Sequence, residues 1–181
     1  TGSGKSTFID LLLGLLIPSS GKIFLNHEEL NKDSRKKLSS LVGYVPQDVY
    51  LIDDTITRNI ALGVDDDEID LDRVKKAGGV ADIHDFIVSN LDQGYNSIVG
   101  ERGAKLSGGQ VQRIGIARAL YCNPKIMIMD EGTSNLDQKT ESKILSNLVE
   151  NKNINILIIV AHRLKTTEKC NELILFKDGK L

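Results

Sequence analysis

The run Leu106-Ser107-Gly108-Gly109-Gln110, twenty positions ahead of an apolar strand that ends in Asp130-Glu131, constrains this chain more than any other feature. A Ser-Gly-Gly turn leading into a good helix (Gln112, Arg113, Ile114, Ala117, Arg118, Ala119, Leu120) offers a hydroxyl, backbone N–H groups and a positive helix end. Together these suit a phosphate. The chain also opens with a second phosphate loop, Thr1-Gly2-Ser3-Gly4-Lys5-Ser6-Thr7. Its glycines let backbone N–H groups approach phosphate closely, while Lys5 reaches the β- and γ-phosphates and Ser6 holds Mg²⁺. Taken alone, this loop fits small-molecule kinases and GTPases equally well. Two such turns exceed the need of one nucleotide, so each is inferred to grip a different ATP, the second belonging to a partner subunit.

A chain of 181 residues is about one domain, long enough to bury roughly 70% of its unfolded surface without staples. Cys122 and Cys170 are isolated, with no Cys-x-x-Cys and no clustered His, which argues against a metal centre and for a reducing compartment. Both read as small buried hydrophobes. Charges nearly cancel, 23 basic against 25 acidic, and aromatics are 4%, which leaves neither a basic field nor stacking platforms for nucleic acid. The longest apolar stretch, Phe8 to Ile17, contains Asp10 and Gly14 and falls short of the ~20 residues a bilayer crossing needs. Asp65-Asp66-Asp67-Glu68 lacks the glycine and bidentate glutamate of a calcium loop and reads as a solvated helix lead-in. The phosphate-loop pattern lacks its first glycine, so the expectation is of a piece of a longer protein.

Gly4 to Leu16 predicts a helix buried against a sheet, with Phe8, Ile9, Leu11, Leu12, Leu15 and Leu16 apolar and Gly14 near its end. A turn at Pro18-Ser19-Ser20-Gly21 follows, then a strand from Lys22 to Asn26, a polar helix from Lys32 to Ser40, and a strand from Leu41 to Val45 that delivers Gln47. Between Thr55 and Tyr121 the periodicity is helical, so residues 53–122 read as an inserted helical subdomain within a core of residues 1–52 and 123–181. Strands then alternate with helices: Ile126 to Met129, a helix near Gln138 to Glu150, Ile154 to Val160, and Leu173 to Phe176 before an Asp178-Gly179 turn. This pattern predicts an α/β fold with a mainly parallel sheet flanked by helices.

Asp130 and Glu131 end a buried strand, where ligands sit in such sheets. The first carboxylate suits Mg²⁺ and the next a general base for an attacking water, against the plain alternative of a helix start. With both phosphate turns in view, the chain resembles the ATP-binding cassette family along its whole length, and so a P-loop ATPase whose helical subdomain carries the signature Leu106 to Gln110. The resemblance implies ATP and Mg²⁺ as cofactors, with Thr1 to Thr7 and Gln47 around the nucleotide and Ser6, Gln47 and Asp130 at the metal. It implies catalytic roles for Lys5, for Glu131 as the base, and for His162 as the switch that contacts the γ-phosphate. Ser107, Gly108, Gly109 and Gln110, with Leu106 before them, would bind ATP in trans, as would Asp137 in the loop Ser134-Asn135-Leu136-Asp137 that crosses to the other subunit. Two positions depart from the family pattern, since Gly132 and Asn135 stand where Ala is usual, and freedom at Gly132 is expected to loosen the base.

Gly100-Glu101-Arg102-Gly103 resembles a segment of the exporter branch that lies against the membrane domain, and Gly103 to Leu120 is similar to transporters that flip lipid-linked saccharides. The partners implied are a second nucleotide-binding domain in a head-to-tail dimer and a transmembrane domain fused upstream, at the cytoplasmic face of the inner membrane. Two rival readings fit parts of this pattern. A soluble relative acting on nucleic acid would carry a long coiled coil between the Gln loop and the signature, yet only 59 positions separate Gln47 from Leu106. A non-hydrolysing regulatory cassette is opposed by Glu131, His162 and the intact signature.

Overall fold

The structure is a computed structural model that describes residues 3–161, 170–177 and 179–180, the side chains of Lys32 and Asp33 excepted. The chain divides into two compact units, residues 1–42 with 160–181, and residues 43–159.

In the first unit, helix α1 (Lys5–Leu12) starts from Gly4, whose φ is 96°. The helix stops four residues before the expected Leu16. Gly14 is left-handed (φ 72°), and the Gly14 N–H to Leu11 (3.1 Å) and Leu15 N–H to Asp10 (2.9 Å) bonds close the C-terminus. Ile9 is the one buried residue of α1, and Leu15, Leu16 and Ile17 are exposed. The predicted burial of this segment against a sheet is therefore not seen among the described residues. Strand β1 (Phe24–Leu25) pairs antiparallel with β2 (Glu28–Glu29). Asn26 and His27 between them have φ of 49° and 69°, the two left-handed residues that match a hairpin turn to the strand twist. Helix α2 (Lys32–Leu41) runs one residue past its prediction. The strand expected over Leu173 to Phe176 does not form, because no ladder partner lies beside it among the described residues, and Leu173, Ile174 and Leu175 are exposed. Lys177 and Lys180 form an antiparallel bridge around Gly179; Asp178 lies outside the described residues.

The second unit begins at strand β3 (Val42–Val45) and continues through helices α3 (Ile56–Ile60), α4 (Leu71–Val80), α5 (His84–Asn90) and α6 (Gly108–Tyr121). Strand β4 (Ile126–Asp130), helix α7 (Gln138–Glu150) and strand β5 (Ile156–Val160) complete it. The strands lie parallel in the order β3-β4-β5, with helical connections between them. The central β4 is apolar without alternation because both of its faces are covered: Met127, Ile128 and Met129 are buried. Helix α6 is buried nearly all round, with Ile114, Ile116 and Ala117 fully enclosed, and α3 and α4 pack on it. Four of these helix starts, of α3, α4, α6 and α7, carry a side-chain cap. Thr55 accepts the Arg58 N–H at 3.1 Å, and Asp70 accepts those of Asp72 and Arg73, each at 3.0 Å. Cys122, read as a buried hydrophobe, is exposed, since it caps α6 just before the chain turns outward at Asn123 (φ 53°). Cys170 is half-buried. No helix among the described residues is long and apolar enough to cross a membrane.

Candidate active site

The first phosphate loop is a folded turn. Lys5 Nζ donates to Ser3 Oγ at 2.8 Å, curling the ammonium over its own loop. The Gly179 N–H donates to the Ser3 carbonyl at 3.1 Å and backs the turn. Ser6 and Thr7 are exposed at the start of α1, where first-turn N–H groups lack helical acceptors and the macrodipole is positive. Thr1 and Gly2 lie outside the described residues, and so does His162.

The second phosphate turn caps α6. The Ser107 hydroxyl accepts the Gln110 N–H at 3.3 Å while Gln110 Oε1 accepts the Ser107 N–H at 2.8 Å, a reciprocal capping box. Ser107 and Gly108 are exposed, Leu106, Gly109 and Gln110 half-buried. The N–H groups of Gly108 and Gly109 belong to the first turn and have no acceptor within the helix. The loop 134–137 lies directly against this turn. A Cβ at Gly109 would stand 3.2 Å from the Asn135 carbonyl oxygen, and one at Gly108 would touch the Asn135 side chain at 3.9 Å. Asn135, one of the two departures from the family pattern, is thus in contact with the signature.

Asp137 is the cap of α7, accepting the N–H groups of Lys139 and Thr140 at 3.0 Å each and the Thr140 hydroxyl at 2.6 Å. These bonds, the Thr140 hydroxyl first, hold its carboxyl below the usual carboxylate range. Asp130 ends β4, half-buried, and Glu131 follows with φ 51°. A left-handed glutamate costs about 1–2 kcal/mol, so neighbouring groups must hold it. The Ser134 N–H donates to the Glu131 carbonyl at 2.9 Å. Thr133 Oγ1 donates to the buried Glu141 carboxylate at 2.8 Å. Gly132 is buried, and a Cβ there would meet Val45 Cγ1 at 3.1 Å and Met129 Cβ at 3.2 Å. The missing Cβ therefore leaves room for Val45 and Met129 to pack against the loop.

Gln47 is exposed just after β3. The loop behind it is anchored by residues that the sequence reading passed over as ordinary helix members. Arg118 of α6 donates through Nη1 to the Tyr50 carbonyl at 2.9 Å and through Nε to the Asn59 carbonyl at 2.8 Å. The fully buried Asn59 bonds both backbone groups of Ile52 at 3.0 Å. Burial holds the Arg118 guanidinium below its usual pKa. Asp66 in the acidic run is taken by Arg58. Glu101 and Arg102 are exposed in a short turn. A cavity of about 390 Å³ lined by Ile56, Leu91, Ile98, Val99, Lys105 and Leu106 opens beside the start of the signature rather than at the strand-end acids.

A phosphate loop at the start of α1, a capped glycine turn at the start of α6 and paired acids at the end of a central parallel strand define a P-loop ATPase fold of the cassette type. The "ABC transporter" family description matches residues 1–134, and the chain belongs to that family. It is 43% identical over all 181 residues to the leukotoxin translocation ATP-binding protein LktB of Mannheimia haemolytica, of which it covers 25%, and as similar to the LktB of Bibersteinia trehalosi. The chain also superposes over its full length on a bacterial Atm1-family ABC exporter solved with ATP bound, with a TM-score of 0.90 and 40% identity, covering 31% of that protein. The chain thus spans about a quarter of the length of the curated relatives it matches.

Proposed function

We propose that this chain is the ATP-hydrolysing cassette of a membrane exporter, working as a head-to-tail pair in which each copy completes the other's nucleotide site. The second phosphate turn carries this reading: its glycine N–H groups stand at the positive end of α6 beside the loop 134–137, a second place for phosphate besides the loop at the start of α1. In each copy Lys5 and the loop 1–7 hold the triphosphate by charge and backbone N–H groups. Glu131 accepts the proton of the attacking water, and His162 contacts the γ-phosphate. Ser107, Gly108 and Gly109 donate to the γ-phosphate of the nucleotide that the other copy holds. The Ser6 hydroxyl, the Gln47 amide oxygen and the Asp130 carboxylate are hard oxygen donors of the kind Mg²⁺ prefers, and the bound ion would neutralise charge on the phosphates. The partner is a transmembrane domain, with Gln47 and the turn at Glu101-Arg102 facing it at the cytoplasmic side of the membrane. Outward translocation follows the description of the Atm1-family relative as an exporter.

The test places two lesions in two arrangements within the intact dimer, on a Glu131→Gln background that prevents turnover. With Lys5→Ala on one copy and Ser107→Arg on the other, both lesions fall in one site, and one tightly held ATP per dimer is expected. With both on one copy, each site carries a lesion and no ATP is retained. Equal retention in the two arrangements overturns the shared-site reading and leaves Leu106 to Gln110 as an ordinary helix cap.

A further inference from the structure

We infer that Gln112 is a positioning residue for Glu131, holding the base in place through the carbonyl of Gly132; the inference rests on the reading of Glu131 as general base. Gln112 is 1% exposed, one turn into α6, and its Nε2 donates to the Gly132 carbonyl oxygen at 2.8 Å. A carbonyl can only accept, so the amide N–H must face it. The acceptor belongs to the residue after Glu131, whose left-handed backbone (φ 51°) is the least favourable element of the loop. Glu131 is gripped on the near side by the Ser134 N–H on its own carbonyl, at 2.9 Å. Gln112 fixes the next peptide along, Gly132–Thr133, so that the two successive carbonyls after the Glu131 side chain are both held and the turn beneath that side chain cannot twist.

Loss of this donor leaves the Gly132 carbonyl buried without its partner. The peptide then rotates toward another donor and carries the carboxylate with it, and a misplacement of about 1 Å suffices to slow chemistry markedly. ATP binding is expected to persist, because Gln112 is enclosed beneath the helix and lies outside both glycine turns. There is a structural consequence as well. Ser107 and Gln112 stand on the same rigid helix, so the turn offered to the other copy's ATP and the support of this copy's own base move together.

The experiment is a double-mutant cycle in the intact protein with Gln112→Met, an apolar side chain of similar size, and Glu131→Gln. Gln112→Met is expected to lower kcat about 10- to 100-fold with KM for ATP within about 2-fold of wild type. In the Glu131→Gln background, long single-turnover incubations should show a further change of less than about 2-fold, because the group being positioned is already disabled. A wild-type kcat for Gln112→Met, or the same loss in both backgrounds, makes Gln112 a structural residue and overturns the inference while the base assignment stands. Wild-type hydrolysis by Glu131→Gln alone overturns both. Should Gln112→Met fail to fold, Gln112→Asn keeps the polarity but falls short of the carbonyl, and the same cycle applies.

Discussion

At the scale of single residues, the second unit is held by polar side chains that reach backbone groups across it. Arg118, Asn59 and Gln112 each bond main-chain atoms of another segment, and the loops that carry Gln47 and Glu131 thereby have defined positions. Tyr95 is held in a different way, by a side chain on its hydroxyl and another on its own carbonyl. Its hydroxyl lies 3.0 Å from His84 Nδ1, its carbonyl accepts the Thr57 hydroxyl at 3.1 Å, and burial first, then the charge of Asp85, pushes its pKa up to about 12. A raised tyrosine pKa means the folded state keeps its proton where the unfolded chain, near 10, has lost it. Stability is therefore complete below pH 10 and declines as pH rises toward 12. Urea denaturation at pH 9 to 11.5 should show this decline in wild type and a flatter alkaline limb in Tyr95→Phe.

At the scale of elements, the starts of α3, α4, α6 and α7 are capped locally and each helix is then placed by its neighbours. Arg113 of α6 donates to the Asp82 carbonyl at 2.5 Å, Lys143 of α7 pairs with the Asp82 carboxylate at 2.6 Å, and Asn147 donates to the Val80 carbonyl at 3.0 Å. The link between α4 and α5 is thus clamped by the signature helix and by the helix that Asp137 caps. Asp70 is the complementary local device, and its removal leaves two first-turn N–H groups of α4 without an acceptor. Asp70→Ala is expected to lower stability by about 1 kcal/mol while ATPase activity at saturating ATP is unchanged. Thermal denaturation and steady-state kinetics on the same preparation check both halves. A loss of activity with unchanged stability would make Asp70 something other than a cap.

At the scale of the whole molecule, the proposed function divides the work between nucleotide binding at Lys5 and proton transfer at Glu131. Glu131→Gln should lower turnover about 10²- to 10⁴-fold, or about 3 to 5 kcal/mol of barrier, because the proton acceptor alone is lost. Binding should remain and be visible as stabilisation. ATP at 100 times its Kd raises the unfolding free energy by about 2.7 kcal/mol for a ligand that binds the folded state only. Adding Lys5→Ala to this background should abolish that increment, as measured by urea titration with and without ATP. An increment that survives Lys5→Ala would place the triphosphate elsewhere than at the first phosphate loop.

Local chemistry and periodicity were sufficient to determine the glycine turns ahead of α1 and α6, the polar helix from Lys32, and the strand that leads into Asp130-Glu131. Each depends on residues a few positions apart, and so each is written in short windows of sequence. The early end of α1 was also locally encoded, in the left-handed Gly14, but its apolar neighbours masked the signal. Leu173 to Phe176 shows the converse: an apolar run becomes a strand only when a ladder partner is beside it, and partnership is a tertiary property. The same holds at the candidate site. Nothing near Gln112 in sequence announces the Gly132 carbonyl twenty positions on, and Arg118 and Asn59 are 59 positions apart. Only the packing of α6 against α3 and against the loop after β4 brought those donors to those acceptors, because a buried carbonyl takes whichever donor the fold delivers, wherever along the chain that donor lies.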